Sequence, residues 1–492
     1  MNKYILLKFS IFIIINYFFT TSLFCSNPFI EQLEMLKQDP KLTHGIIGLN
    51  VVDLNANNQI YAFNDKIVLS PASTQKIIIT ASALCILGKN FKYVTTIEYD
   101  GYIDSVQQIL HGNLYVKGGG DPTLESYFFK QNNDSSDFVK EIIDVLKIKR
   151  IKTIDGSIIG DGSIFDGEVV SPNWTWEDIG NYFGAGSFGL SYKDNMYALG
   201  FKTKEEGTLA LLNYIKPNIL GLEITSNVIA KGIEDSAYIY GSPYTFQRYI
   251  NGSLPPNKEN FEIKGAMPNP PLFLAQEIHQ SCLSNKISVL KAPISYEEHF
   301  NPIFQLNQPR KTLFKHISPS LDRIIYFTNM FSVNLFAENL VKTISLQDGQ
   351  VGHSTEGLNK IISFWNKRGV NTDGLDLADG CGMARKNSVS CEQLTQILTL
   401  MSKEKQFNSF YNSLPVSGIS GTLINFGKGT NLEGRIHAKS GSYKKVRSMA
   451  GYIKTNHGKT LCFAMIINNY SGSSSEMKQK IESLVKTLVE VE

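Results

Sequence analysis

Ser70-Pro71-Ala72-Ser73-Thr74-Gln75-Lys76, followed by Ile77-Ile78-Ile79-Thr80-Ala81-Ser82-Ala83-Leu84, sets a hydroxyl and an amine three residues apart at the head of an apolar run. At helical spacing Ser73 and Lys76 fall on one face and can share a proton. That makes Ser73 a candidate nucleophile and Lys76 its candidate base. Pro71 suits the first turn of a helix, where its missing N–H costs nothing, and the positive end of the helix dipole then lies near the serine oxygen. The helix is expected to run to about Leu87 and to stop at Gly88. Spacing alone decides little, because Ser-x-x-Lys recurs at Ser288/Lys291, Ser402/Lys405, Ser442/Lys445, Ser475/Lys478 and Ser483/Lys486.

Outward from this stretch, residues 46–52 read as a strand, Asn55-Ala56-Asn57-Asn58 as a turn and 59–63 as a returning strand. Three more strand-like runs come late, at 434–440, 448–454 and 460–468. Ser473-Ser474-Ser475-Glu476 is a capping-box start, and Ile481, Leu484, Val485 and Leu488 form the apolar stripe of a terminal helix. Ser318-Pro319 reads as the N-cap of another helix that ends near Phe331, with a further helix from about Leu335 and Ser332-Val333-Asn334 between the two. Two strands early and three late, with helices around them, predict an α+β fold with one antiparallel five-stranded sheet flanked by helices. Residues 93–306 differ in character, being short β-like runs broken by Gly, Asn, Asp and Pro. They read as a large β-rich insertion, divisible into two subdomains. Residues 26–92 and 307–492 then make up one discontinuous domain.

The 492 residues carry 42% apolar content and a net charge of +3, an ordinary globular balance that gives no global argument for nucleic acid as a partner. Residues 1–25 have the layout of a secretory signal peptide: Lys3 and Lys8, an apolar run too short to span a bilayer, then Thr20-Thr21-Ser22. Export is therefore expected. An uncleaved leader would instead give a peripheral membrane anchor. Lipid attachment at Cys25 is disfavoured, because bulky Phe24 precedes it. Five widely spaced cysteines follow, too few for a disulfide framework although one pair could form. The eight histidines have no metal-ligand spacing, and no metal or cofactor is expected. Gly184-Ala185-Gly186-Ser187-Phe188-Gly189 matches a dinucleotide-binding fingerprint only by letter, since no strand precedes it and no clear helix follows.

Three groups then stand in order: Ser73-Thr74-Gln75-Lys76, Ser332-Val333-Asn334 and Lys439-Ser440-Gly441. Here the sequence resembles the active-site serine penicillin-recognising enzymes, whose pattern is Ser-x-x-Lys, Ser-Asp-Asn and Lys-Thr-Gly. The gap of 261 residues between Ser73 and Asn334 is similar to that of the class C low-molecular-mass penicillin-binding proteins, D-alanyl-D-alanine carboxypeptidases/endopeptidases with a large insertion at that point. Gly120-Asp121-Pro122-Thr123-Leu124, Asp379-Gly380-Cys381-Gly382, Leu414-Pro415-Val416-Ser417-Gly418 and residues 438–451 look like the same family, so the resemblance spans nearly the whole chain after the leader. Ser440 stands where threonine is usual, Cys381 where serine is, and Met383-Ala384-Arg385 where Leu-Ser-Arg is common.

The resemblance implies a β-lactamase/transpeptidase-like domain. It also implies a serine peptidase of the periplasm that cleaves D-Ala–D-Ala in peptidoglycan stem peptides through an acyl-enzyme on Ser73, with β-lactams as inhibitors. The catalytic residues would be Ser73, Lys76, Ser332 and Asn334. Lys439, Ser440 and Gly441 would bind the substrate's carboxylate end, and the backbone N–H groups of Ser73 and Ser442 would form the oxyanion hole. For Lys76 to act as a base, its pKa must fall well below the free value of ~10.4, and partial burial and the second ammonium of Lys439 both act in that direction. Two rivals accompany this reading: a β-lactamase or esterase on the same scaffold, and a non-catalytic envelope-binding protein. Arg385 is expected to pair with an acid, and His437 to be structural.

Overall fold

In the computed structural model the strand Thr460–Asn468 is the axis of one half of the molecule, built from the two ends of the chain. Its residues alternate between two cores: Leu461, Phe463, Met465 and Ile467 face one, while Cys462, Ala464 and Ile466 face the other. A strand buried on both faces needs a helical layer on each side. The helices Pro28–Lys37 and Ser474–Leu488 supply one layer, and Lys76–Leu87, Leu321–Met330, Asn334–Ser345 and Cys391–Met401 belong to the other. Thr460–Asn468 pairs antiparallel with Ile46–Asp53 on one side and with Val446–Lys454 on the other. Asn58–Phe63 and Ile436–Tyr443 complete the five-stranded antiparallel sheet as its edges. This is the expected α+β fold. The structure describes residues 27–130, 137–296, 309–349 and 351–492, so the leader and Cys25 lie outside the described residues.

Ser473 caps the terminal helix as a capping box with Glu476, as expected. Two local expectations are corrected. Ser318 caps no helix: its hydroxyl accepts from Tyr93 N and donates to the Pro319 carbonyl, and the helix begins at Leu321. Ser73 lies in a 3₁₀ turn, Ala72–Gln75, and Lys76 opens the α-helix that ends at Leu87 before Gly88. With three residues per turn, positions i and i+3 eclipse, so the tighter turn stacks Ser73 over Lys76 more directly than an α-helix would. The helix Lys76–Leu87 is buried from Lys76 through Leu84, which matches its lack of a polar face.

The inserted region enters on Val94–Tyr99 and leaves on Lys311–Ile317, and these two strands pair antiparallel with each other. Among the described residues it holds four sheets around an apolar cluster that includes Ile97, Leu146, Tyr197, Leu199, Ile250 and Leu274. Several contacts fasten it to the half built around Thr460–Asn468. Trp174 packs with Ala337, Cys381 and Ala384, and the buried Lys342 Nζ donates to Asp166 and to the Glu168 carbonyl, each at 2.7 Å. Ser187 and Asn339 are linked at 2.8 Å. Cys85, Cys282, Cys381, Cys391 and Cys462 are all free thiols, so the disulfide left open by the sequence does not form among the described residues. No helix of the described residues is long and apolar enough to cross a membrane.

Phe463 is fully buried within the layer formed by the first and last helices. Phe463→Ala is expected to cost about 3–5 kcal/mol of stability. Urea unfolding followed by far-UV circular dichroism measures this as a drop in midpoint at unchanged slope.

Candidate active site

The site forms where the 3₁₀ turn Ala72–Gln75 meets the sheet edge Ile436–Tyr443, the helix start at Asn334 and the loop 379–387. Lys76 Nζ, fully buried, donates to three acceptors: Ser73 Oγ at 3.0 Å, Asn334 Oδ1 at 2.7 Å and the Cys381 carbonyl at 2.7 Å. Three acceptors fill the three donor positions of an ammonium, so the nitrogen is fixed in orientation. Burial lowers the Lys76 pKa, opposed by the nearby Cys381, Asp379 and Glu338. Burial disfavours this charged form; the neutral amine keeps two N–H donors, enough for Asn334 Oδ1 and the Cys381 carbonyl, and turns its lone pair to accept from the Ser73 hydroxyl.

Gly441 explains how the sheet edge comes so close. A Cβ there would lie 2.8 Å from Ser73 N, 2.7 Å from the Pro71 carbonyl and 2.3 Å from Ser448 Oγ. The Ser448 hydroxyl donates to the Pro71 carbonyl and tethers the turn from the neighbouring strand. On the other side Gly382, at φ +88°, has no room for a Cβ against the Ala72 carbonyl 2.0 Å away.

Lys439 is fully buried, and its Nζ donates to the Ser440 carbonyl at 2.6 Å. Burial is the first cause of its strongly lowered pKa, and the neighbouring Lys76 charge adds to it. The expectation that Lys439 helps depress Lys76 is thus revised: complete burial is the first cause for both amines. Ser440 Oγ pairs with Thr422 Oγ1 at 2.8 Å on the exposed side of the strand, and Ser442 is exposed just beyond Gly441. Ser332, half-buried at φ 59°, lies two residues before Asn334, but no hydrogen bond joins its hydroxyl to Ser73 or Lys76. The Asn334 amide NH₂ donates to the Phe183 carbonyl at 2.8 Å and to Met383 Sδ at 3.1 Å, so the inserted region fixes this side chain. Arg385 stacks over the Tyr443 ring at 4.3 Å instead of pairing with an acid. His437 stacks on Tyr411 at 4.0 Å, and burial lowers its pKa.

Sequence reasoning missed the groups behind the loop. Asp379, fully buried, accepts from Gly382 N, Ala384 N, Asn387 Nδ2 and Trp174 Nε1 at 2.6–2.8 Å. Glu338 Oε1 accepts from Gly380 N at 2.9 Å and Cys381 N at 2.7 Å. Burial, with the Asp379 charge second, pushes the Glu338 pKa up to about 7. Its place four residues after Asn334, on one face of the same helix, was the available signal. Glu338, Asp379 and Cys381 bring potential metal ligands within 4.8 Å of one another, but backbone N–H groups already occupy both carboxylates. The contact of this loop with Lys76 runs through a main-chain carbonyl, which accounts for a cysteine serving at position 381.

The pattern of the D-Ala-D-Ala carboxypeptidase 3 (S13) family matches residues 29–491. The chain belongs to this family. It is therefore a peptidase in class. A D-alanyl-D-alanine carboxypeptidase of Actinomadura sp. (strain R39) is 26% identical over 457 residues, covering 90% of this chain and 81% of that protein. The D-alanyl-D-alanine carboxypeptidase DacB of Haemophilus influenzae is 24% identical over 482 residues, covering 95% of each chain. The crystal structure of penicillin binding protein 4 from Haemophilus influenzae superposes with a TM-score of 0.78 at 23% identity, over 93% of this chain and 99% of that one. That likeness establishes the fold, a five-stranded antiparallel sheet flanked by helices with a β-rich insertion.

The Glu338 pKa links the loop to pH. Its ordinary value is 4.5, and the folded value lies near 7, so between these the folded state holds a proton that the unfolded state has released. The Glu338 contribution to stability therefore falls as pH rises through that window. Glu338→Gln keeps the accepting oxygen and lacks this titration. Its denaturant midpoint relative to the wild type is expected to rise from pH 4.5 to 7; a difference that does not change with pH would refute a neutral Glu338.

Proposed function

We propose that the chain is a serine-type D-Ala-D-Ala carboxypeptidase that reacts through an acyl-enzyme on Ser73. The observation that carries this is the 3.0 Å hydrogen bond between Ser73 Oγ and a buried Lys76 whose pKa is lowered. Neutral Lys76 takes the Ser73 proton as Oγ attacks the carbonyl of the D-Ala–D-Ala bond. Negative charge then develops on the carbonyl oxygen between the backbone N–H groups of Ser73 and Ser442. Such donors contribute about 10²–10³ in rate each. The close approach at Gly441 supports this placement of the hole. Ser332 passes the proton to the leaving amine. Ser440 with Thr422 receives the terminal carboxylate, with the buried Lys439 amine behind them on the same strand. Water then hydrolyses the ester, with Lys76 again as base.

The same steps serve when the leaving amine belongs to a second stem peptide, so cross-link cleavage is part of the proposal. Stem peptides of peptidoglycan are then the substrate and β-lactams, which mimic the D-Ala–D-Ala amide, the inhibitors. The leader-like residues 1–25 and an extracytoplasmic substrate support export to the periplasm. The domain reading is a catalytic unit of residues 26–92 and 307–492 interrupted by 93–306, with the strand Lys311–Ile317 carrying the inserted sheet a few residues past that boundary.

Ser73→Ala is expected to abolish covalent labelling by a fluorescent penicillin and the release of D-alanine from a purified muropeptide; stable labelling of this variant would remove the assignment. Gly441→Ala pushes a methyl against Ser73 N and should slow acylation by about 10²-fold or more with the fold retained. Acylation kinetics beside a thermal melt separate the two effects. Acylation should also rise with pH through an apparent pKa below the ordinary lysine value of 10.5, because only neutral Lys76 is a base.

A further inference from the structure

Away from Ser73, the inserted region carries an open face built in a different chemistry. The strands Glu223–Ala230, Gln247–Leu254 and Tyr238–Tyr240 form a three-stranded sheet. Its inner face holds Val228, Ile250 and Ile239 in the apolar core. Its outer face aligns Thr225, Tyr249 and Tyr240 across the three strands in one row and Asn227, Asn251 and Tyr238 in the next. A groove of ≈ 640 Å³ lies along this face, and Trp176, Tyr240, Tyr249, Thr225, Gln247 and Asn251 line it. The three rings follow one another, Trp176 to Tyr240 at 6.4 Å and Tyr240 to Tyr249 at 6.1 Å between centroids.

Tyrosines on an outer strand face are ordinary cross-strand pairs. Trp176 is not. It comes from a separate one-turn helix, Trp176–Ile179, and is 57% exposed although tryptophan is among the costliest side chains to leave in water. This turn is held firmly against the sheet. Asn181 Oδ1 accepts from Ile239 N at 3.0 Å, Asn181 Nδ2 donates to the Glu177 carbonyl at 2.7 Å, and Gly180 lies where any Cβ would be 2.0 Å from the Ile239 carbonyl. Under the groove a buried Arg248 braces the adjoining loop through the Thr245 and Gln247 carbonyls at 2.6 and 3.0 Å. The platform is thus formed before any ligand arrives, which lowers the ordering cost of binding.

The lining selects a chemistry. Flat aromatic faces accept the C–H face of a sugar ring, while amide and hydroxyl groups at the ring edges donate to and accept from hydroxyl and N-acetyl groups. Apart from the buried Arg248, no charged side chain among the described residues lines the groove, and Glu177 and Asp178 stand beside Trp176, which disfavours a polyanion such as nucleic acid. The segment bearing Trp176 also reaches the reaction centre at both ends. Trp174 Nε1 donates to Asp379, and the Phe183 carbonyl holds Asn334. We propose that this face binds the glycan backbone of the cell wall, a polymer of N-acetylated pyranose rings, and so presents the attached stem peptides to Ser73. The choice of this polymer over other neutral glycans rests on the peptidoglycan reading above; the groove itself does not.

The test uses the full chain with two probes, the N-acetylglucosamine hexamer and glycan strands stripped of stem peptides by an amidase. Of the three tryptophans, Trp174 and Trp365 are 8% and 0% exposed, so saturable quenching of the exposed-indole fluorescence reports Trp176. Tyr249→Ala is expected to weaken binding of both probes by about tenfold or more. It should leave penicillin acylation unchanged and slow digestion of intact sacculi relative to a free muropeptide. No saturable binding of either probe to the folded wild type overturns the proposal, as does binding that Tyr249→Ala leaves unaltered. Self-association of the wild type that Tyr249→Ala abolishes, without glycan binding, also overturns it and makes the face a contact between copies. Glycan binding by a chain that takes no penicillin would instead count against the catalytic reading alone.

Discussion

A lysine amine removed from water is the constraint on which the site depends. Desolvating an ammonium is costly unless each proton finds a partner, and Lys76 meets this with acceptors from three separate elements. The turn, the helix start at Asn334 and the loop at Cys381 must therefore dock together for any of them to be stable around that nitrogen. The same burial lowers the pKa, so the packing that fixes the amine also disfavours its charged form.

Behind those acceptors, the structure commits two carboxylates to backbone geometry. Asp379 gathers the loop 379–387, and Glu338 fixes the peptide that aims the Cys381 carbonyl. Their arrangement resembles the outer shell of a metal centre, in which supporting hydrogen bonds set the orientation of the groups that act. The inserted region joins this shell at Trp174 and Phe183, so it is part of the scaffold of the site and not an appendage to it. The segment from Trp174 to Phe183 touches both the loop 379–387 and the aromatic outer face of the inserted region.

Strand and helix periodicity carried most of the catalytic half. The sheet was legible because residues 461–467 are apolar at every position and residues 46–52 nearly so, as a central strand of a covered sheet requires. Ser473 and Glu476 announced the last helix through a local hydrogen-bond pair that needs no tertiary context. Ser318 misled for the opposite reason: its hydroxyl found a distant partner, Tyr93 N, instead of its own helix. The inserted region was legible only as β-rich, since the pairing of Val94–Tyr99 with Lys311–Ile317 links residues over two hundred positions apart.

By itself the sequence determined the identity and order of the chemical groups, Ser73 with Lys76, Ser332 with Asn334, and Lys439 with Ser440, because local spacing fixes which side chains share a turn. Spacing alone did not separate Ser73–Lys76 from five other pairs; its order with the other two groups singled it out. Tertiary structure adds the surroundings of this pair, where a glycine strand edge, a helix start and a carboxylate-bound loop converge. It also decided that Lys439 is buried and that Asn334 is held by Phe183. The reason is physical. A pKa and a hydrogen bond depend on which atoms exclude water from a group, and those atoms come from parts of the chain that are close only after folding.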